Sequence, residues 1–173
     1  MSADKIQNYP RIKAGIILYL EKASELECRD MTEVPVPDKF LKPFYKFHLT
    51  QLKQAVRSGS EWRVALQGGS SLQVSMVWVQ GRVKEVNTAE NILVLEEAGA
   101  EVIVDTLSAS PGGCGWLALG QYIQVVGELV RSDRVRCSKM TDLSRNKHCQ
   151  GMWDLEVSEL HALLAGSVVM GDF

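Results

Sequence analysis

Long hydrophobic runs are missing from this 173-residue sequence. Its longest strongly apolar stretch near the N-terminus is AGIILYL, at residues 14–20. That stretch is shorter than the ~18 apolar residues that a membrane-spanning helix needs, and it does not follow the pattern of a signal peptide. The composition, with 46% hydrophobic and 23% charged residues, is that of a globular protein. We therefore expect a soluble, intracellular protein with one domain and additional segments.

Closely spaced cysteine pairs are also missing. The sequence has no CxxC motif, and its four cysteines are Cys28, Cys114, Cys137 and Cys149. This spacing predicts neither a disulfide framework nor a zinc motif, and a reducing compartment fits best. The strongest metal alternative combines Cys137, His148, Cys149 and His161. Adjacent ligands at 148 and 149 suit tetrahedral geometry poorly, so we predict no metal and no cofactor.

Motifs of enzymatic chemistry are lacking as well. The glycine-rich stretch GGSS at 68–71 precedes a predicted strand, whereas a phosphate-binding loop opens a helix, and no GKS or GKT follows it. GGCGW at 112–116 contains a cysteine with no histidine nearby in sequence. His48 lies beside the apolar stripe of a predicted helix. We predict a non-catalytic protein.

The distribution of proline predicts a domain boundary. Four of the five prolines lie in the first 43 residues, and MTEVPVPDKFLKP at 31–43 is typical of an extended linker. We predict an N-terminal extension over residues 1–42, with a short helix in RIKAGIILYLEKASEL. A domain should follow over residues 43–165, and a tail over 166–173.

Two amphipathic helices are predicted to flank a β-rich region. In the first, one face carries Tyr45, Leu49, Leu52 and Val56, and Gly59 can end the helix. In the second, the apolar face carries Trp153, Val157, Leu160 and Leu164. Gly151 and Gly166 are predicted to delimit this second helix, and Asp154 and Glu156 would lie near its positive end.

The region between the helices predicts five strands. A long strand in LQVSMVWVQGRVKEV bends at Gly81, and two hairpins follow, around Gly99 and around the RSD turn at 131–133. Five such strands favour the oligonucleotide/oligosaccharide-binding (OB) barrel. The stretch between strands three and four, SASPGGCGWLALG, is too rich in glycine for a helix. The helix at 45–56 is therefore predicted to plug the barrel.

The overall charge does not favour nucleic-acid binding, but one segment does. The formal net charge is −2, which argues against a strong global positive field. A basic hairpin joins strands four and five, where OB folds often contact nucleic acid. Its cations are Arg131, Arg134, Arg136 and Lys139. They are candidate DNA contacts, although they also suit an edge strand protected by its charges.

Three segments carry a family resemblance. They are VWVQGRV at 77–83, GQYIQVVGELV at 120–130 and KMTDLSRNKHCQGMWDLEVSELH at 139–161. They resemble the second subunit of the RecQ-mediated genome instability complex, a small OB-fold protein, and the resemblance covers about residues 43–163. The C-terminal block is the most specific of the three.

The resemblance implies a nuclear, non-catalytic subunit. Its relatives pair with the C-terminal OB domain of the larger instability subunit, through packing of C-terminal helices. The pair joins a RecQ helicase and topoisomerase III in dissolving double Holliday junctions, so contact with DNA would be weak or indirect, with no membrane involved. An alternative is a module like those of replication protein A, which would bind single-stranded DNA through the basic hairpin.

The resemblance also implies interface residues. The family's interface tryptophan falls on Trp153 and an interface lysine falls on Lys46. The helical stripe adds Val157, Leu160 and Leu164 as partner contacts. Spacing alone favours equally the alternative that Trp153 packs on its own barrel, because a tryptophan buries a large area in either setting.

Overall fold

A computed structural model describes residues 42–168 of the chain, all of which lie in the unit that follows Pro37. The helix predicted in the N-terminal extension lies outside the described residues, and the boundary at 42/43 stays a prediction. Neither helix in the described part combines the length and apolarity needed to cross a bilayer. The described elements, in chain order, are β1 Phe44–Lys46, α1 Leu49–Lys53, β2 Val56–Ser58, β3 Glu61–Ala65, β4 Ser71–Val74, β5 Met76–Asn87, β6 Ile92–Glu97, β7 Ala100–Asp105, β8 Tyr122–Arg131, β9 Arg134–Asp142 and α2 Lys147–Val168.

Strands β5 to β9 form the five-stranded OB barrel that the sequence predicts. They follow the order β5-β6-β7-β9-β8, and an additional pairing of β5 with β8 closes the ring. Strands β7 and β9 run parallel, whereas the other neighbours in the ring are antiparallel. This pairing pattern is that of an OB fold. Both predicted hairpins, β6–β7 and β8–β9, are present.

The inward-facing positions of the barrel build one apolar core. Val77, Val79 and Val83 of β5 alternate with residues that point to the outer face, as the two-residue period of a strand requires. The other strands contribute fully or almost fully buried side chains to the same core, including Leu93, Leu95, Val102, Val104, Ile123, Val125 and Val135. Leu49 and Leu52 of α1 complete this core, so α1 is the predicted plug.

Glycines occupy two positions where barrel strands approach each other closely. A Cβ added at Gly81 would lie 2.7 Å from the Glu96 carbonyl oxygen, and one at Gly127 would lie 2.2 Å from that of Arg136. The β5–β6 register also shifts between Val83 and Glu85. The predicted close approach at Gly81 is thus present, because any larger residue there would collide with the backbone of β6.

We predict that Gly81→Ala lowers the free energy of unfolding by about 1–3 kcal/mol or more, since the added methyl group overpacks a backbone contact. Gly151→Ala is the matched control, because a Cβ at that position meets nothing within 4 Å. Replacing glycine inside a helix should raise stability by about 0.5–1 kcal/mol. Urea unfolding of both variants measures the difference. Equal stability of Gly81→Ala and wild type would contradict the close approach.

The plug helix is shorter than the sequence predicts. Tyr45 lies in β1, which pairs in parallel with β5 at Met76–Trp78, and Val56 lies in β2, where it is exposed. The prediction of a helix from Tyr45 to Val56 was therefore wrong at both ends. Pairing with β5 satisfies the backbone of β1. Antiparallel strands β2, β3 and β4 form a separate sheet that the sequence pattern did not predict. Residues 72–74 belong to β4, so the prediction of one long barrel strand from residue 72 was wrong at its start, and β5 begins at Met76.

The C-terminal helix α2 is longer than predicted. It begins four residues before Gly151 and continues past Gly166, so the prediction that these glycines delimit it was wrong. Asn146 caps it instead, because its Oδ1 accepts the Cys149 backbone N–H at 3.2 Å. Asp154 and Glu156 consequently lie beyond the first turn of α2, where the helix dipole has little effect.

Candidate interaction site on the C-terminal helix

The carboxylate of Glu97, at the end of β6, joins three segments of the chain. Its Oε2 accepts the Leu49 backbone N–H at 2.7 Å, at the start of α1. Its Oε1 lies 2.8 Å from His48 Nδ1 and accepts Trp153 Nε1–H at 2.9 Å. A carboxylate that accepts several hydrogen bonds in a largely buried place makes strong, directional contacts. Glu97 thereby ties α1 and α2 to the barrel.

The apolar stripe of α2 is largely buried within the chain's own fold. Trp153 is 2% exposed and Val157 is fully buried. Leu160 is partly exposed, and Leu164 is partly buried against the core. The predicted stripe is thus a buried helix face. Trp153 is surrounded by its own chain, as in the alternative in which it belongs to the fold. A direct role of these four residues at a partner interface stays a prediction.

Lys46 connects β1 to α2. Its Nζ donates to Glu156 Oε2 at 2.8 Å. The same Nζ lies 4.5 Å from the ring centroid of Trp78 and 5.9 Å from that of Trp153. A cation over aromatic faces is stabilised by the ring quadrupoles. The lysine that resembles a family interface residue therefore makes contacts within its own chain, and its contact with a partner stays a prediction.

His161 is a buried polar residue that the sequence pattern did not place in the fold. Its Nε2–H donates to the Lys46 carbonyl at 2.9 Å, and its Nδ1 accepts the Gln67 backbone N–H at 3.3 Å. Burial lowers the pKa of this imidazole, so the neutral ring fits both contacts. The signal was available, because position 161 follows Trp153 by eight residues on the same helix face.

His48 connects the plug helix to both Glu97 and α2. The hydrogen bond with Glu97 raises the pKa of His48 above its ordinary value, with a smaller contribution from Asp154. His48 Nε2 lies 3.9 Å from Asp154 Oδ1. His48, Glu97 and Asp154 each place one potential metal-ligand atom, a ring nitrogen or a carboxylate oxygen, within 4.8 Å of the other two. Both Glu97 oxygens already accept protein hydrogen bonds, so the group suits a shared proton better than a metal.

The four candidate metal ligands do not form a metal-binding group among the described residues. The fold does not bring Cys137, His148, Cys149 and His161 together in the part of the chain that the structure describes.

The basic hairpin is partly neutralised by carboxylates. Arg131 pairs with Asp133 at 3.1 Å, Arg136 with Glu128 at 3.0 Å and Arg134 with Asp105 at 4.0 Å. These carboxylates reduce the local positive potential. DNA contact by the four cations of the hairpin stays a prediction.

The opposite side of α2 is exposed and mostly apolar. We call it the exposed face, and its members are Leu155, Glu159, Ala162, Leu163 and Gly166. Leu155 is 48% exposed. Leu155, Glu159, Ala162 and Gly166 follow one another at intervals of three or four residues, which places them along one side of a helix. The two sides of α2 thus differ, one holding the barrel and the other presenting a surface.

Comparison with known proteins identifies the family. The family model described as RecQ-mediated genome instability protein 2 matches residues 43–161. A chicken (Gallus gallus) protein of that name is 34% identical over 130 residues, which are 70% of this chain and 94% of the relative. A bovine (Bos taurus) one is 32% identical over 125 residues, 69% of this chain and 78% of the relative. The chain belongs to the RecQ-mediated genome instability protein 2 family.

Solved structures support the same fold. The S. pombe Stn1–Ten1 complex contains a chain with a TM-score of 0.50 at 10% sequence identity, and the match covers 70% of this chain and 96% of that chain. This likeness concerns the fold alone. Family membership supports a role in RecQ-linked genome stability.

We predict that Trp153→Phe lowers the free energy of unfolding of the chain by about 1–2 kcal/mol, because the loss of the Nε1–H donor leaves a largely buried carboxylate short of a partner. Trp153→Ala should lower it by about 3–5 kcal/mol, since it also leaves a cavity. Chemical denaturation of the chain without a partner measures both. Wild-type stability of Trp153→Ala would mean that the indole does not hold α2 to the barrel.

We also predict that His48 adds stability at low pH. Its pKa is raised in the folded protein, so its contribution is fully present below the ordinary pKa of 6.5 and is lost as the pH rises through the folded-state pKa. The difference in free energy of unfolding between wild type and His48→Gln should therefore grow as the pH falls from 8 to about 6.

The control for the pH series is His148→Gln, which removes an exposed histidine at the start of α2. His161 acts in the opposite direction, because its pKa is lowered and its contribution declines as the pH falls through 6.5. His161 is present in both proteins of each pair, so the part of its effect that comes from burial cancels from the differences, whereas the part that comes from the charge of His48 does not. A constant difference for His48→Gln across this range would contradict the His48–Glu97 pair.

Proposed function

We propose that this protein is the small, non-catalytic subunit of a heterodimer with the larger RecQ-mediated genome instability subunit. In this role it stabilises an assembly of a RecQ helicase and topoisomerase III that dissolves double Holliday junctions in the nucleus. The observation that carries the proposal is the family match over residues 43–161, which includes the barrel and most of α2.

The architecture of α2 supports a scaffolding role. Glu97 of β6 holds the Trp153 side and Lys46 of β1 pairs with Glu156 of α2, so the helix reaches a partner already positioned. A preorganised helix loses little conformational freedom on binding, and this favours affinity. Leu155 is then available for a partner, because nearly half of its surface is exposed. Trp153 and Val157 would act on the partner chiefly by holding α2 in place.

We predict that Leu155→Arg reduces recovery of the larger subunit in affinity capture from nuclear extract, while the chain itself stays folded. A charged side chain at the centre of an apolar interface typically costs several kcal/mol of binding energy if it is left unpaired. Trp153→Ala is unsuitable for this purpose, because loss of the fold would also lose the partner.

The matched control is Leu107→Arg, which makes the same change at an exposed leucine in the β7–β8 connection. Wild type and Leu107→Arg should both recover the larger subunit, the helicase and the topoisomerase, which mass spectrometry identifies. Their absence with wild type would overturn the proposed function. Recovery of single-stranded DNA fragments alone would favour the alternative of direct DNA binding.

A further inference from the structure

His161 joins α2 to three other segments of the chain. The side chain is fully buried, and its Nε2 lies 2.9 Å from the carbonyl oxygen of Lys46 in β1. Its Nδ1 lies 3.3 Å from the Gln67 backbone nitrogen in the β3–β4 turn and 3.4 Å from Gln51 Nε2 of α1. The Phe47 ring packs near the imidazole, with the two ring centroids 5.3 Å apart. One imidazole therefore holds the second half of α2 on β1, α1 and this turn.

These partners fix the protonation state of the His161 ring. The Lys46 carbonyl can only accept a hydrogen bond, so Nε2 must carry the proton. The Gln67 backbone N–H can only donate, and the Gln51 amide nitrogen is a donor too, so Nδ1 must be an unprotonated acceptor. Only the neutral imidazole with its proton on Nε2 satisfies these contacts. A second proton would turn an N–H of His161 against two other donors, and the buried donors would lose their acceptor.

The described surroundings of His161 do not favour a positive charge. Burial lowers the pKa of the ring most, the hydrogen bond to the Lys46 carbonyl opposes this shift, and the charge of His48 adds to it. Lys46 itself contributes a second cation on the β1 side, whose Nζ is paired with Glu156. The β3–β4 turn at 66–70 has no charged side chain. The α2 residues one turn away from His161 are also uncharged, and they are Val157, Ser158, Leu164 and Ala165.

Protons act on the two halves of α2 in opposite directions. In the first half, Trp153 donates to Glu97, and the pKa of His48 beside that carboxylate is raised. A falling pH charges His48 and adds an attraction to Asp154 of α2, whose Oδ1 lies 3.9 Å from the His48 Nε2. In the second half, a falling pH charges His161 and removes its acceptor. The first half is thus held more firmly in acid and the second half less firmly.

We propose that the part of α2 from residue 158 onwards is an acid-sensitive latch, which a proton on His161 opens while residues 147–157 stay attached through Glu97. Histidine suits such a device because it changes charge near neutral pH. The inference concerns the free chain and is independent of the proposed function.

The direction of the pH effect follows from the two states of the latch. In the open state the His161 ring is in water and has its ordinary pKa of 6.5, whereas in the closed state its pKa is lower. The open state therefore binds more protons than the closed state. Opening is favoured as the pH falls below about 6.5, by up to roughly tenfold for each pH unit until the closed-state pKa is reached.

The test measures backbone hydrogen exchange of the full chain at several pH values, because exchange reports local opening. Protection factors remove the intrinsic pH dependence of the exchange reaction. Between about pH 7 and pH 5, protection of the second half of α2 should fall roughly tenfold. Protection of the first half should stay constant or rise. A parallel fall in both halves overturns the inference, because the whole helix would then open together.

The variant for this test is His161→Gln, which cannot titrate. Its second half should be less protected than that of wild type at pH 8, and this protection should not change with pH. His148→Gln is the matched control, because it removes an exposed histidine from the same helix and should keep the wild-type pH dependence. Protection that is independent of pH in wild type, or that falls equally in His161→Gln, overturns the inference.

A second measurement covers the case in which His161→Gln does not fold. Nitrogen NMR of the wild-type imidazoles shows which ring nitrogen carries the proton and at what pH each ring titrates. The inference expects the proton of His161 on Nε2 at pH 8 and titration of this ring below pH 6.5. A proton on Nδ1, or titration at the ordinary pKa, overturns it.

Discussion

The hydrogen bonds of Glu97 are the constraint on which the rest of the structure depends. A single carboxylate at the end of β6 accepts the N–H that opens α1 and the indole N–H of Trp153, and contacts His48. The plug and the C-terminal helix are therefore positioned by one group. An apolar residue at 97 would leave these donors in a largely buried place without an acceptor, and unmet donors are costly there.

This arrangement divides α2 into two sides with different tasks. The side with Trp153 and Val157 is buried in the fold, and the cation of Lys46 lies close to two tryptophan rings. The other side is thereby turned outward in a fixed orientation. Changes at Trp153 and Leu155 should therefore have different consequences, the first for the fold and the second for recognition. A loss of partner binding is informative only where the fold is measured too.

Sequence patterns were sufficient for the barrel but not for its attachments. The alternation of buried residues and the glycine at 81 led to five strands, because strand period and backbone clearance are local properties. Tyr45 to Val56 also fits a helical stripe, yet β1 forms there instead, since pairing with β5 is a tertiary contact. Gly151 and Gly166 did not delimit α2 for a similar reason, because a glycine ends a helix only where the chain outside it offers no better cap. Asn146 is that cap at the N-terminal end.

A double-mutant cycle on the isolated chain tests most directly the claim that Glu97 and Trp153 hold α2 to the barrel. The free energy of unfolding is measured for wild type, Glu97→Leu, Trp153→Phe and the double variant. The account predicts a coupling energy of about 0.5–3 kcal/mol, the range for residues in direct contact. Additive effects, with no coupling beyond error, would contradict it, because α2 would then be held by something other than this hydrogen bond.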